Sequence, residues 1–102
     1  MKRNPPIRWS RLAEKDLEAA HAYPEERNPE AARRFASQIL HAIESIEEYP
    51  EIGAVARDLT PSGRYRHVVS GHHRIIYRIE PEVIRILRIW DARRNPADLR
   101  PV

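Results

Sequence analysis

The 102-residue chain contains no cysteine, three glycines, one phenylalanine and one methionine. The lack of thiols excludes disulfides, thiol nucleophiles and cysteine-ligated metals, and it fits a reducing cytoplasm, the location expected from sequence. Three scattered glycines leave no glycine-rich loop to cradle a phosphate. The opening MKRNPPIRWSR is basic but has no apolar run after it, and no later stretch is apolar for long enough to span a bilayer. Neither a signal peptide nor a membrane partner is expected. There is no internal repeat, low-complexity segment, carboxylate pair or Ser-His-Asp pattern. The adjacent His72 and His73 lack the helical i, i+4 spacing of strong zinc motifs, so no metal and no cofactor are expected. The length suits one domain, residues 1–102, which buries roughly two-thirds of its unfolded surface without staples.

What is present is arginine, unevenly placed. Residues 1–63 hold nine basic and eleven acidic side chains, whereas residues 64–102 hold nine basic and four acidic. Between Arg64 and Arg94 lie eight arginines against Glu80, Glu82 and Asp91. Positive charge concentrated in one third of a small domain points to an anionic partner.

Ile7-Arg8-Trp9 alternates and reads as a short first strand after Pro5-Pro6. Ser10 stands as N-cap to a helix in which Ala13, Leu17 and Ala20 share a face, with Pro24 ending or kinking it near Tyr23. Asn28, Pro29 and Glu30 open a second helix in the order cap, first position, dipole partner. Its stripe is Phe35, Ile39, Ala42, Ile43, Ile46 and Tyr49, and Pro50 stops it. The two helices form a hairpin whose apolar faces need a sheet to cover. Residues 50–63, with two prolines and two glycines, read as a connection.

Three further strands follow: Arg64–Ser70, Arg74–Glu80 and Val83–Trp90. With Gly71-His72-His73 as the turn, Tyr65, His67 and Val69 are expected under the helices together with Ile75, Tyr77 and Ile79. Arg64, Arg66, Arg74 and Arg78 are then expected on the opposite face. Val83–Trp90 is apolar on both parities and reads as a central strand of unassigned faces. His67 is expected to be hydrogen-bonded and partly buried, and Trp90 to pack in the core or its rim. Asp91 is placed to hold Arg93 or Arg74, or to cap the turn after it. The fold class is α+β in the order β-α-α-β-β-β, with a helical hairpin on one face of a small, curved, mainly antiparallel sheet.

Five pieces in this order, IRWSRLAEKDLE, NPEAARRF, IESIEEYPEIG, RYRHVVSGHHRIIYRI and ILRIWDARRNP, resemble the RelE/ParE superfamily of toxins from type II toxin–antitoxin pairs. The resemblance covers nearly the whole chain. It implies a toxin silenced by a cognate antitoxin whose C-terminal segment wraps it, with operator DNA contacted only through the antitoxin. RelE-like members enter the ribosome and cut mRNA. ParE-like members act on DNA gyrase by protein contact. Arg74 and Arg93 match positions where the nuclease branch carries arginines, and they are the catalytic candidates on that reading. That branch also uses a tyrosine or histidine in its tail, and Asn95-Pro96-Ala97-Asp98-Leu99 has neither. The resemblance therefore favours the ParE-like, non-enzymatic branch. The ribosome-dependent endoribonuclease is the alternative, and a non-toxic remnant the third reading. Arg64, Arg66, Arg74, Arg78, Arg93 and Arg94 are the candidate antitoxin- or target-binding residues.

Overall fold

The computed structural model describes residues 4–21, 28–61 and 63–102. Its elements are β1 (Ile7–Trp9), α1 (Arg11–His21), α2 (Pro29–Glu48), β2 (Ala54–Val55), β3 (Arg66–Ser70), β4 (His73–Ile79) and β5 (Ile84–Asp91), followed by a 3-10 turn at Pro96–Asp98. The strands form one mixed sheet in the order β1-β5-β4-β3-β2. β1 lies parallel to β5 and the other neighbours are antiparallel. The fold is α+β, with both helices on one side of the sheet. Tyr23 and Pro24 lie outside the described residues.

Both helix starts follow from their caps. Ser10 Oγ accepts from the Ala13 amide at 3.1 Å and donates to the Leu87 carbonyl at 2.9 Å, so one hydroxyl caps α1 and ties it to β5. Asn28 accepts from Ala31 N at 3.1 Å and starts α2. At the far end of α2, the Asn4 amide donates to the carbonyls of Glu47 and Glu48, two of the orphan acceptors every helix leaves. The α2 stripe is buried at Ile39, Ala42, Ile43 and Ile46 and partly buried at Phe35. Tyr49 departs from it, at 61% exposure. Helical dihedrals end at Glu48, and Tyr49 with φ −131° is no longer placed by the 3.6-residue period.

The connection 50–63 holds a strand that periodicity misses. β2 is two residues long, too short to alternate, and pairs Ala54 with His67 and Val55 with Arg66. The approach to it is anchored by Tyr77, whose hydroxyl donates to Pro50 O at 2.6 Å and accepts from Gly53 N at 2.9 Å. A Cβ on Gly53 would come within 2.6 Å of that oxygen and 2.8 Å of the His67 carbonyl, so only glycine fits there. Burial raises the Tyr77 pKa, the largest of the influences on it.

The β3–β4 turn decides which residues face the helices. Ser70 pairs with His73, leaving a two-residue loop, Gly71-His72, with Gly71 at φ +60°. A three-residue turn was expected, and the difference of one residue inverts β3. Cross-strand partners share a face, so Val68 opposite Ile75 and Arg66 opposite Tyr77 point to the helices. Tyr65, His67 and Val69, expected beneath the helices, lie on the other side. Arg66 was expected there and instead sits on the helix side, donating to Gly53 O at 2.8 Å. Arg64 precedes the strand, exposed in a turn, and no sheet parity places it.

Between β4 and β5 a bulge leaves Leu87 unpaired, because Ile76 opposes Arg88 while Tyr77 opposes Ile86. The bulge switches the inward parity along β5. Ile84, Ile86 and Ile89 join the helix-side core, whereas Leu87 and Trp90 join a second cluster with Ile76. This explains why Val83–Trp90 is apolar at both parities. The second cluster is closed by Ala56 and Leu59 from the connection, by Tyr65 just before β3 and by Leu99 from the tail.

Candidate functional site

The arginine face is largely neutralised from within. Arg74 donates to both oxygens of Asp58 at 3.0 Å, and its Nε donates to His67 Nδ1 at 3.0 Å. The proton of neutral His67 is therefore on Nε2. Desolvation, followed by the neighbouring guanidinium, pushes the His67 pKa below its ordinary value, while the hydrogen bond from Arg74 lowers that of Asp58. Arg78 and Arg85 converge on Glu80, whose pKa is lowered by the bonds from Arg85 and then Arg78. Arg74 and Arg78 retain only 14% and 20% side-chain exposure.

A second network stitches three elements together at the β5 edge beyond the end of β1. Asp16 of α1 accepts from Arg88 Nε at 2.7 Å and Nη2 at 2.9 Å, and from Ile89 N at 3.0 Å. Arg88 Nη1 donates to Arg100 O at 2.7 Å and so holds the tail.

The turn after β5 presents two exposed arginines. Asp91 accepts from the Arg93 amide at 2.9 Å and from its Nε and Nη2 at 2.9 and 2.7 Å, and it both caps the turn and holds the side chain. The Arg93 guanidinium keeps the Asp91 carboxyl far below the usual carboxylate range. Arg94 lies over the Trp90 ring, 4.3 Å from its centroid. Trp90 itself is core, 1% exposed. Beside this turn is a groove of about 540 Å³ floored by Ile89 and lined by Asp16, Ala19, Ala20 and His73. His73 belongs to β4 and lies 4.9 Å from the Phe35 ring, whereas His72 is exposed at the hairpin tip.

An apolar groove of about 620 Å³ runs between the helices, formed by Trp9, Leu17, Ala36, Ile39, Leu40 and Ile43. Leu40 is 60% exposed at its rim. Among the described residues no group of three or more His, Asp or Glu side chains could hold a metal ion, and no helix is long and apolar enough to cross a membrane.

Thus the six arginines expected to act together are dispersed. Arg74 and Arg78 lie on the face opposite the helices, Arg66 on the helix side, Arg64 in a turn, and Arg93 and Arg94 at the β5 exit. Asp58 and Asp16, which organise two of the networks, carried no sequence signal. Asp58 lies in a segment that reads as a connection, and the partner of Asp16 is 72 positions away.

Residues 7–96 match the family described as ParE toxin of type II toxin–antitoxin system, parDE. The chain belongs to the ParE toxin family. As a member it is the toxin of a type II toxin–antitoxin pair, and its partner is a cognate antitoxin. Its fold is similar to that of a chain in the chromosomal ParDE TA system from P. aeruginosa, with TM-score 0.67 and 22% identity over 83% of this chain and 92% of that one. No curated protein matches the sequence. For this ParE-family chain, the helix pair and the far-face clusters are thus features of a toxin scaffold.

Proposed function

We propose that this ParE-family toxin inhibits DNA gyrase, or a related topoisomerase, by protein contact in the cytoplasm, and that it is not a nuclease. The observation that carries the reading is the state of the two catalytic candidates. Arg74 is bound to Asp58 and His67, and Arg93 to Asp91. Cleavage at a ribose 2′-OH needs a base, an acid and cations free to meet the phosphorane. Here each cation already faces a carboxylate. His67 uses Nδ1 to accept from a guanidinium, a bond that disfavours the imidazolium an acid would need. Tyr77 is buried with its hydroxyl doubly bonded. The tail offers no histidine or tyrosine.

On this reading the toxin works through surfaces. The apolar groove between the helices takes the apolar side of an antitoxin segment, and the arginine-bearing side and β5 exit receive acidic groups of the antitoxin or the target. Arg94 is the foremost of these, with Arg64, Arg74, Arg78 and Arg93 contributing field more than direct bonds. Arg66 acts structurally. Operator DNA is met only through the antitoxin.

The test is a supercoiling assay with purified gyrase beside primer-extension mapping of mRNA in a translating extract. Loss of supercoiling with intact mRNA, reversed by the antitoxin, is expected. Codon-linked cuts with normal supercoiling would replace this reading with the ribosome-dependent endonuclease. Absence of both effects would mark a non-toxic remnant.

A further inference from the structure

Arg94 differs from its neighbours in how it is held. Arg74, Arg78, Arg85, Arg88 and Arg93 each donate to a carboxylate. Arg94 is exposed, and among the described residues its side chain meets an indole and no carboxylate. Its backbone is fixed as well, because Arg94 N donates to Asp91 O at 3.0 Å and closes the turn. The platform beneath it is rigid, since Trp90 is buried among Ile76, Leu87 and Leu99, and Arg88 lies 5.2 Å from the same ring.

A guanidinium over an aromatic ring satisfies its face and leaves the N–H donors of its edges for another group. Its rotamer is restricted before any partner arrives, so less freedom is lost on binding. Such an edge takes an oxyanion through two parallel N–H···O bonds, and in a protein partner such as the antitoxin that group is a carboxylate. The carboxylates that line the adjoining groove, Asp16 and Asp91, are already paired with Arg88 and Arg93 and so do not compete for this edge.

We propose that Arg94, positioned by Trp90, reads a carboxylate of the cognate antitoxin by a two-pronged hydrogen bond and is a determinant of antitoxin choice. The proposal rests on the reading that the β5 exit is a partner surface.

The experiment is calorimetric titration of the toxin with its antitoxin at two salt concentrations, using wild type, Arg94→Lys, Arg94→Ala, Arg93→Ala and Arg64→Ala, each first checked for an unchanged melt. Both Arg94 variants should bind about tenfold or more weakly, including the lysine, which keeps the charge but cannot bond bidentately. Arg64→Ala should stay within about threefold, as a rim charge that acts mainly through the field. Wild-type affinity for Arg94→Lys would overturn two-pronged recognition. If Arg93→Ala weakens binding while both Arg94 variants do not, the Arg94 assignment falls and the surface reading stands. If no arginine variant weakens binding, the surface reading falls with it.

Discussion

On the helix side of the sheet, Ile39, Ala42, Ile43 and Ile46 pack on Ile75, Tyr77, Ile84, Ile86 and Ile89, with Ala13 from α1 completing one continuous apolar cluster. On the other side, Ile76, Leu87 and Trp90 are closed by Ala56 and Leu59 of the connection, Tyr65 before β3 and Leu99 of the tail. Around that smaller cluster stand Arg74 with Asp58 and His67, and Arg78 and Arg85 with Glu80. One face is thus held chiefly by apolar burial through two helices. The other depends more on directed polar bonds and on segments without regular structure to anchor them. Hydrophobic burial carries no charge to titrate or screen, whereas partly exposed ion pairs respond to both pH and ionic strength. A toxin built this way keeps a stable scaffold on one side and an adjustable polar surface on the other.

The contrast can be broken by paired truncations. Ile46→Ala, in the fully buried helix-side core, should cost about 2–5 kcal/mol in urea unfolding. Leu99→Ala should fall at the low end, about 2 kcal/mol, because a tail segment can collapse onto the space left. Equal costs would mean that the two faces are equally rigid. Tyr77→Phe comes next: it strands Pro50 O and Gly53 N and should cost about 1–3 kcal/mol. A neutral result would show water replacing the hydroxyl.

Arg74→Ala should leave the fold intact and cost about 1 kcal/mol or less, since Asp58 is 52% exposed and its pair with Arg74 is screened. Loss of the fold would make the far face as structural as the core.

The smallest effects are pH-dependent. His67 has a pKa lowered from 6.5, so its contribution is complete above that pH and declines as pH falls toward the folded value. His67→Gln should flatten the change in stability between pH 7 and pH 5. Asp58, Glu80 and Asp91 have lowered pKa values, so their contribution is present above about pH 4 and is lost as pH falls through the folded values. Added salt should shrink this acid-side loss but not that of Ile46→Ala.

Much of the scaffold was legible residue by residue. Ser10 and Asn28 cap as their side-chain chemistry predicts, the α2 stripe is buried from Ile39 to Ile46, and the central strand shows burial on both faces. The arrangement of the arginines was less legible. The face of Arg66 depends on whether the hairpin turn holds two residues or three, and Gly71 permits the shorter one through its positive φ. The neutralisation of Arg74 and Arg88 depends on where Asp58 and Asp16 travel in space. Propensity and periodicity carry no information about such partners.

Local patterns in the chain, caps, turn residues and apolar spacing, settled both helices and every strand but β2, and that the last third is rich in positive charge, because these are features of near neighbours. Only the folded arrangement decided which of those charges remain available to a partner. An ion pair requires two groups within about 4 Å, and that separation is set by strand register, a one-residue bulge and the path of the connections.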